Sequence, residues 1–183
     1  MSHCWGEPTE NQKKKWCTTT GNKEERGAQG FPVIELPQTF QDAISVTREL
    51  GQRYLWIDSL CIIQGEGGGW ETEAKKIEAV FKNAYCTIAA TSAEDSTKGF
   101  LNRPLKEEDS QYVMVPNSSH GKVYICTSID DFPSDVEEGL LNKRAWVLQE
   151  RALLRRTIHF TKRQTYWECG GGVRCETLTH MKK

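Results

Sequence analysis

Neither sign of charge dominates this 183-residue sequence: Lys and Arg total 24, Asp and Glu 25. There is no long block of like charges, so a strongly basic nucleic-acid binder and an acidic disordered tail are both excluded. Long apolar runs are also missing, and nothing approaches the roughly 18 residues of a membrane span. The start, Met1-Ser2-His3-Cys4-Trp5, has neither a basic nor an apolar leader region, so no signal peptide is expected. Internal repeats and low-complexity tracts are absent. What the chain does have is aromatic weight, with six Trp, six Phe and five Tyr, too many for a disordered polymer. The length suits one domain with one core. The seven cysteines are odd in number. Cys4, Cys61, Cys86 and Cys126 sit in apolar, strand-like runs, where free Cys behaves as a small hydrophobe. This points to a reducing, intracellular compartment rather than a disulfide framework.

Residues 7–30 are polar and rich in turn formers, and read as a long loop. From Leu36 the apolar residues Phe40, Ala43, Ile44 and Leu50 recur at helical spacing. Thr39 is placed to cap that helix, and Gly51 to end it. Tyr54 to Ile63 is almost continuously apolar and reads as a strand buried on both faces. Glycines 65 and 67–69 break the chain. Trp70 to Tyr85 then reads as an amphipathic helix and Cys86 to Thr91 as another buried strand. The alternation predicts an α/β fold with a mostly parallel sheet and right-handed crossovers. In the second half, Tyr112–Val115 and Val123–Cys126 read as a strand pair. Leu140–Leu154 reads as a helix, and Thr157–Phe160 and Thr165–Cys169 as short strands. The segment from Gly170 onward reads as a loose tail.

Several residues carry chemistry. Asp58 interrupts the most apolar strand, so it must be paired or stand at a strand end. In open α/β sheets ligands gather beyond the carboxyl ends of strands. A site residue and a structural acid are both open readings of Asp58. The Gln64-to-Glu73 stretch, with Glu66, Glu71 and Glu73, repels anions and lacks the Lys of a phosphate loop. Glu71 and Glu73 are either helix caps favoured by the dipole or catalytic carboxylates. Arg144 is placed to clamp an acid or a phosphate, or to lie on a solvated helix face. Cys169, Cys175 and His180 fit no structural zinc spacing, and no metal is expected.

Six segments, in order, resemble the fungal heterokaryon incompatibility (HET) domain family. They are Ser2-His3-Cys4-Trp5-Gly6, Leu36 to Ala43, Tyr54 to Gln64, Trp70-Glu71-Thr72-Glu73 through Ala90, Arg144 to Arg151, and Gln164 to Cys169. The resemblance implies one domain over residues 1–169, with 170–183 as its tail. It also implies a cytoplasmic protein of self/non-self recognition, acting by self-association or through a signalling partner in programmed cell death. That family is similar in turn to TIR domains. This implies a flavodoxin-like sheet with extra antiparallel strands in the C-terminal half, and possession of NAD as a substrate in members that cleave it. Carried over by place in the motif, Glu73 or Glu71 would be catalytic. Asp58, Gln64, Trp70, Trp5 and Arg144 would bind substrate; no resident cofactor is implied. Three features depart from the family's usual form. Ile63 replaces an acid, one residue precedes Ser2 where a longer strand is usual, and the chain stops soon after Cys169. They raise the expectation of a truncated gene model or an inert remnant.

Overall fold

The computed structural model describes residues 1–103, 112–117, 121–126, 131–144, 147, 153–176 and 180–181. It is a mixed α/β protein. Five α-helices precede the sheets: α1 (Glu10–Trp16), α2 (Lys23–Gln29), α3 (Gln38–Glu49), α4 (Asp58–Cys61) and α5 (Trp70–Asn83). A five-stranded sheet has the order β1 (Thr87–Ala89), β4 (Arg156–Phe160), β5 (Thr165–Cys169), β6 (Gly172–Cys175), β7 (His180–Met181). A separate antiparallel pair joins β2 (Tyr112–Asn117) to β3 (Gly121–Cys126).

The sheet is mostly antiparallel and C-terminal, which corrects the expectation of a mostly parallel one. β1 pairs with β4 in parallel, through Thr87↔Thr157 to Ala89↔His159. β4–β5, β5–β6 and β6–β7 are all antiparallel. The cause is loop length, because a parallel return needs a crossover of a dozen residues and only two to four residues separate these strands in sequence. The β4–β5 turn is closed by Thr161, whose hydroxyl donates to the Gln164 carbonyl at 2.6 Å and accepts from the Gln164 amide at 3.2 Å. A flavodoxin-like arrangement is not established.

Other expectations are corrected locally. Tyr54–Ile63 is not one strand. It is extended to Ile57 and then turns into α4, because the Asp58 carboxylate accepts its neighbour's amide, Ser59 N, at 2.8 Å and bends the backbone. Cys61 is exposed on that turn rather than buried. The segment 7–30 holds α1 and α2, and α1 starts at a capping box between Thr9 and Gln12. Residues 172–175 are not loose: they form β6, with Val173 and Cys175 buried. Leu140–Lys143 is a single 3-10 turn after which Arg144 is extended. Ala145, Trp146 and Leu148 to Ala152 lie outside the described residues.

α3 forms where the apolar stripe predicts it. Phe40 and Ala43 face a core with Met1, Leu36, Ile57, Ile88, Ala90 and Phe100. Its cap is Pro37, not Thr39. Thr39 instead donates to the Asp95 carbonyl at 3.1 Å and accepts from Gly99 N at 3.2 Å. Asp42, also buried, accepts from Phe100 N at 2.6 Å and Leu101 N at 3.0 Å. The 95–101 loop is thus pinned on α3, with Gly99 at φ +70° so close that a Cβ would stand 2.7 Å from the Asp42 carboxylate. A second core unites Phe132, Val136, Tyr166, Val173 and Cys175 beneath the antiparallel strands.

Candidate functional site

The first three residues lie between two other segments. Ser2 N donates to the Ile88 carbonyl at 2.8 Å, and Ala90 N to the Ser2 carbonyl at 3.0 Å, a parallel bridge to β1. On the other flank the Met1 ammonium donates to the Trp56 carbonyl at 2.9 Å. Met1 meets Trp56 and Trp5 meets Asp58, so residues 1–5 and 56–58 run the same way. Three carboxyl ends therefore converge at one edge: Cys4-Trp5, Asp58-Ser59 and Ala90 to Ser92. The chain leaves residues 1–3 for a neighbour on one side (54–57) and later for one on the other (β1). A reversal of this kind opens a crevice in an α/β sheet.

At that edge the Trp5 indole N–H donates to Asp58 Oδ2 at 3.0 Å, while Oδ1 accepts from Ser59 N. Both side chains are half-buried. Burial pushes the Asp58 carboxyl above its ordinary value, and its two hydrogen bonds, the Met1 ammonium and Arg144 hold it partly back. His3 stacks toward Trp5, with ring centroids 6.4 Å apart, and meets the Phe40 ring edge-on at 5.1 Å. Burial, with the Met1 ammonium and the Arg144 cation nearby, lowers His3 to about 3, so the ring is neutral. Arg144 is exposed, yet its guanidinium donates to the His3 carbonyl at 2.7 Å. It also lies beside Cys4, whose thiol burial pushes up against the pull of that cation. Among the described residues, His3 Nε2, Ser59 Oγ, Ser92 Oγ and Arg103 Nη1 are buried atoms without a hydrogen-bond partner. The first three belong to this edge, and Arg103 lies beside Glu176 at the antiparallel strands. Orphaned polar atoms are costly in a purely structural cluster and are expected where something else is to be bound.

The family model for heterokaryon incompatibility protein (HET) matches residues 1–150. The chain belongs to the HET family. No match was found among curated proteins or among solved structures. No helix among the described residues is long and apolar enough to cross a membrane.

The HET motifs can now be placed. Trp5 and Asp58, from two motifs far apart in sequence, are in direct contact, with Arg144 from a third bonded at His3, two residues before Trp5. Gln64 lies behind them. Its amide donates to the Ile62 carbonyl at 2.9 Å and reaches the Asp58 carbonyl at 3.4 Å, so it braces α4. Trp70, Glu71 and Glu73 occupy the first turn of α5. Glu71 is exposed, and Glu73 accepts from Lys76 at 2.7 Å on the helix surface. No contact joins these two glutamates to the Trp5–Asp58 pair among the described residues. His3 was not among the residues singled out from the sequence, yet it lies at this edge. The available signal was its place beside Trp5 in Ser-His-Cys-Trp-Gly. Cys17 was not singled out either; it is buried and feels the Asp58 charge. No periodic pattern surrounds Cys17 to mark it.

Proposed function

We propose that this HET domain serves self/non-self recognition in a fungus, acting from the cytoplasm to trigger programmed cell death through self-association or a signalling partner. The observation that carries the reading is the Trp5–Asp58 pair at the converging carboxyl ends, within a chain of the HET family. A partly desolvated carboxylate beside an accessible indole and an exposed guanidinium is a poised recognition surface rather than a sealed core. The test is inducible expression in a fungal host. Wild type kills, and Asp58→Asn, Trp5→Phe and Arg144→Gln abolish killing while remaining folded. A well-folded wild type that leaves growth unchanged, even when artificially clustered, would make the chain an inert remnant.

The same edge favours a second reading, NAD cleavage as the death effector. Breaking the nicotinamide–ribose bond expels neutral nicotinamide and leaves an oxocarbenium-like ribosyl centre for water to attack. A carboxylate near that centre stabilises the cation, and an indole can stack on the nicotinamide. Asp58 and Trp5 supply these groups side by side. Glu73 and Glu71 supply a carboxylate by family analogy alone, with Trp70 then stacking on the nicotinamide and Gln64 bonding the ribose or the amide. Nicotinamide release by the purified, concentrated chain is the measurement. Loss of release in folded Asp58→Asn but not Glu73→Ala assigns the edge, and the converse assigns α5.

A further inference from the structure

The segment between Gly6 and Leu36 is held unlike the rest of the protein. Both feet are firm. Gly6, at φ +71°, packs so tightly on Asp95 that a Cβ would meet the Asp95 Cβ at 2.5 Å, and Leu36 is buried in the core. Between them, α1 and α2 bury no residue at all. Of residues 7–35, Cys17 alone is buried. Near its far foot Gln41 donates to the Ile34 carbonyl at 3.4 Å, and what attaches the rest of this length is one stitch. Thr18 N donates to the Ser59 carbonyl at 2.9 Å, and the Thr18 carbonyl accepts from Gln64 N at 2.7 Å. The Thr18 hydroxyl donates to the Leu60 carbonyl at 2.7 Å and accepts from Arg26 at 3.4 Å. Ser59 and Leu60 lie in α4, the turn that carries Asp58, and Gln64 follows it. Cys17, next to Thr18, is buried, and burial pushes its thiol up, with the Asp58 charge adding to the rise.

A segment with no buried apolar face has little beyond its hydrogen bonds to hold it down, and such segments open at low cost while the core stays folded. α1 and α2 still hold together without the core. Asn22 bonds the Cys17 carbonyl at 3.0 Å, Arg26 bonds the Lys15 carbonyl at 2.5 Å, and the Arg26 guanidinium lies 5.4 Å over the Phe31 ring. We propose that residues 7–35 form a strap across the Asp58 turn that lifts as one unit from the folded core, with Thr18 as its latch and buried Cys17 uncovered as it lifts. Its consequence for activity, that lifting frees the turn carrying Asp58, rests on the reading of that edge as the functional site. The lifting itself does not.

The experiment is thiol alkylation of the full chain with N-ethylmaleimide in rising urea, read cysteine by cysteine by peptide mass. Exposed Cys61 reacts first, and Cys175, 3% exposed in the second core, reacts with global unfolding. The strap predicts that Cys17 reacts at least tenfold faster than Cys175 in native buffer, with little urea dependence. Thr18→Val removes the latch hydroxyl and speeds Cys17 about five- to tenfold while leaving Cys175 unchanged. Cys17 and Cys175 reacting at one rate, with one urea dependence, in both proteins would overturn it. If the labelling pattern holds but Asp58→Asn still kills its host, the strap stands and the functional reading of the edge falls.

Discussion

Two regions of this molecule bury polar side chains, and they treat them differently. Beneath the antiparallel strands the Tyr166 hydroxyl, with no exposed surface, donates to Asp135 at 2.8 Å. It accepts from Asp131 N at 3.2 Å and from the Gln164 amide at 3.1 Å. His159 and Glu168 pair across β4 and β5 at 2.9 Å. At the edge formed by residues 1–5, 56–59 and 90–92, His3 Nε2, Ser59 Oγ and Ser92 Oγ have no partner, and Asp58 is held away from its ordinary ionisation. A saturated network fixes a fold, and an unsaturated one costs stability unless it has other work. The contrast separates the Tyr166 network, which is scaffold, from this edge, which is poised.

The largest effect that would sharpen this contrast is the acid response of His3. Its folded value, about 3, lies below the ordinary 6.5. The stability it contributes is therefore complete above pH 6.5 and drains away as pH falls toward 3, because the unfolded chain takes the proton first. Between pH 7 and pH 4 this amounts to about 3 kcal/mol at about 1.4 kcal/mol per pH unit. Urea midpoints should show His3→Phe losing that much less than wild type over the same range. Equal losses in the two proteins would show that the edge is as relaxed as the second core. Next comes Tyr166→Phe. Three hydrogen bonds end on that hydroxyl, so its removal should cost roughly 1–3 kcal/mol at pH 7. A cost near zero would mean that the antiparallel network is not saturated in solution.

How far this division was legible in advance depends on the residue. Phe40 and Ala43 announced α3 by their spacing, and Ile88 announced β1, because burial of a regular face leaves a periodic trace. Asp58 stood out as an acid in an apolar run that had to find partners. Its partners were not legible, since Trp5 lies 53 positions away and only a folded chain brings the indole to it. Antiparallel strands were expected in the C-terminal half, but that they make up most of the main sheet was not. Thr157–Phe160 and Thr165–Cys169 were visible as strands, but their direction was encoded in the short Thr161–Gln164 turn rather than in their hydrophobicity. α1 and α2 were invisible to periodicity because they bury nothing. The one available trace, Thr9 with Gln12, is a cap and not a face.

Asp58→Asn separates poise from stability. The Asp58 carboxyl lies above its ordinary value, so its charging weakens the fold as pH rises from the unfolded value, near 3.8, through the folded one. Asparagine relieves that charge but turns one acceptor of the Trp5 or Ser59 hydrogen bond into a donor. The two changes oppose each other. The expected result is a urea midpoint at pH 7 within about 1 kcal/mol of wild type, with killing abolished. A collapse of stability beside the loss of killing would turn Asp58 into a structural acid and make the edge resemble the second core.

The smallest effect is the most useful control. Glu73 bonds Lys76 at 2.7 Å on an exposed helix surface, and pairs three residues apart contribute little in water. Glu73→Ala should move the urea midpoint by no more than about 0.5 kcal/mol, and Glu71→Ala by no more than that. Because neither change disturbs the fold, any loss of killing or of nicotinamide release in these variants cannot be blamed on unfolding. It would move the chemistry from the edge to the first turn of α5 and leave Trp5 and Asp58 as its support. Retained killing in both, beside its loss in Asp58→Asn, would confine the function to the edge whose polar groups were left unsatisfied.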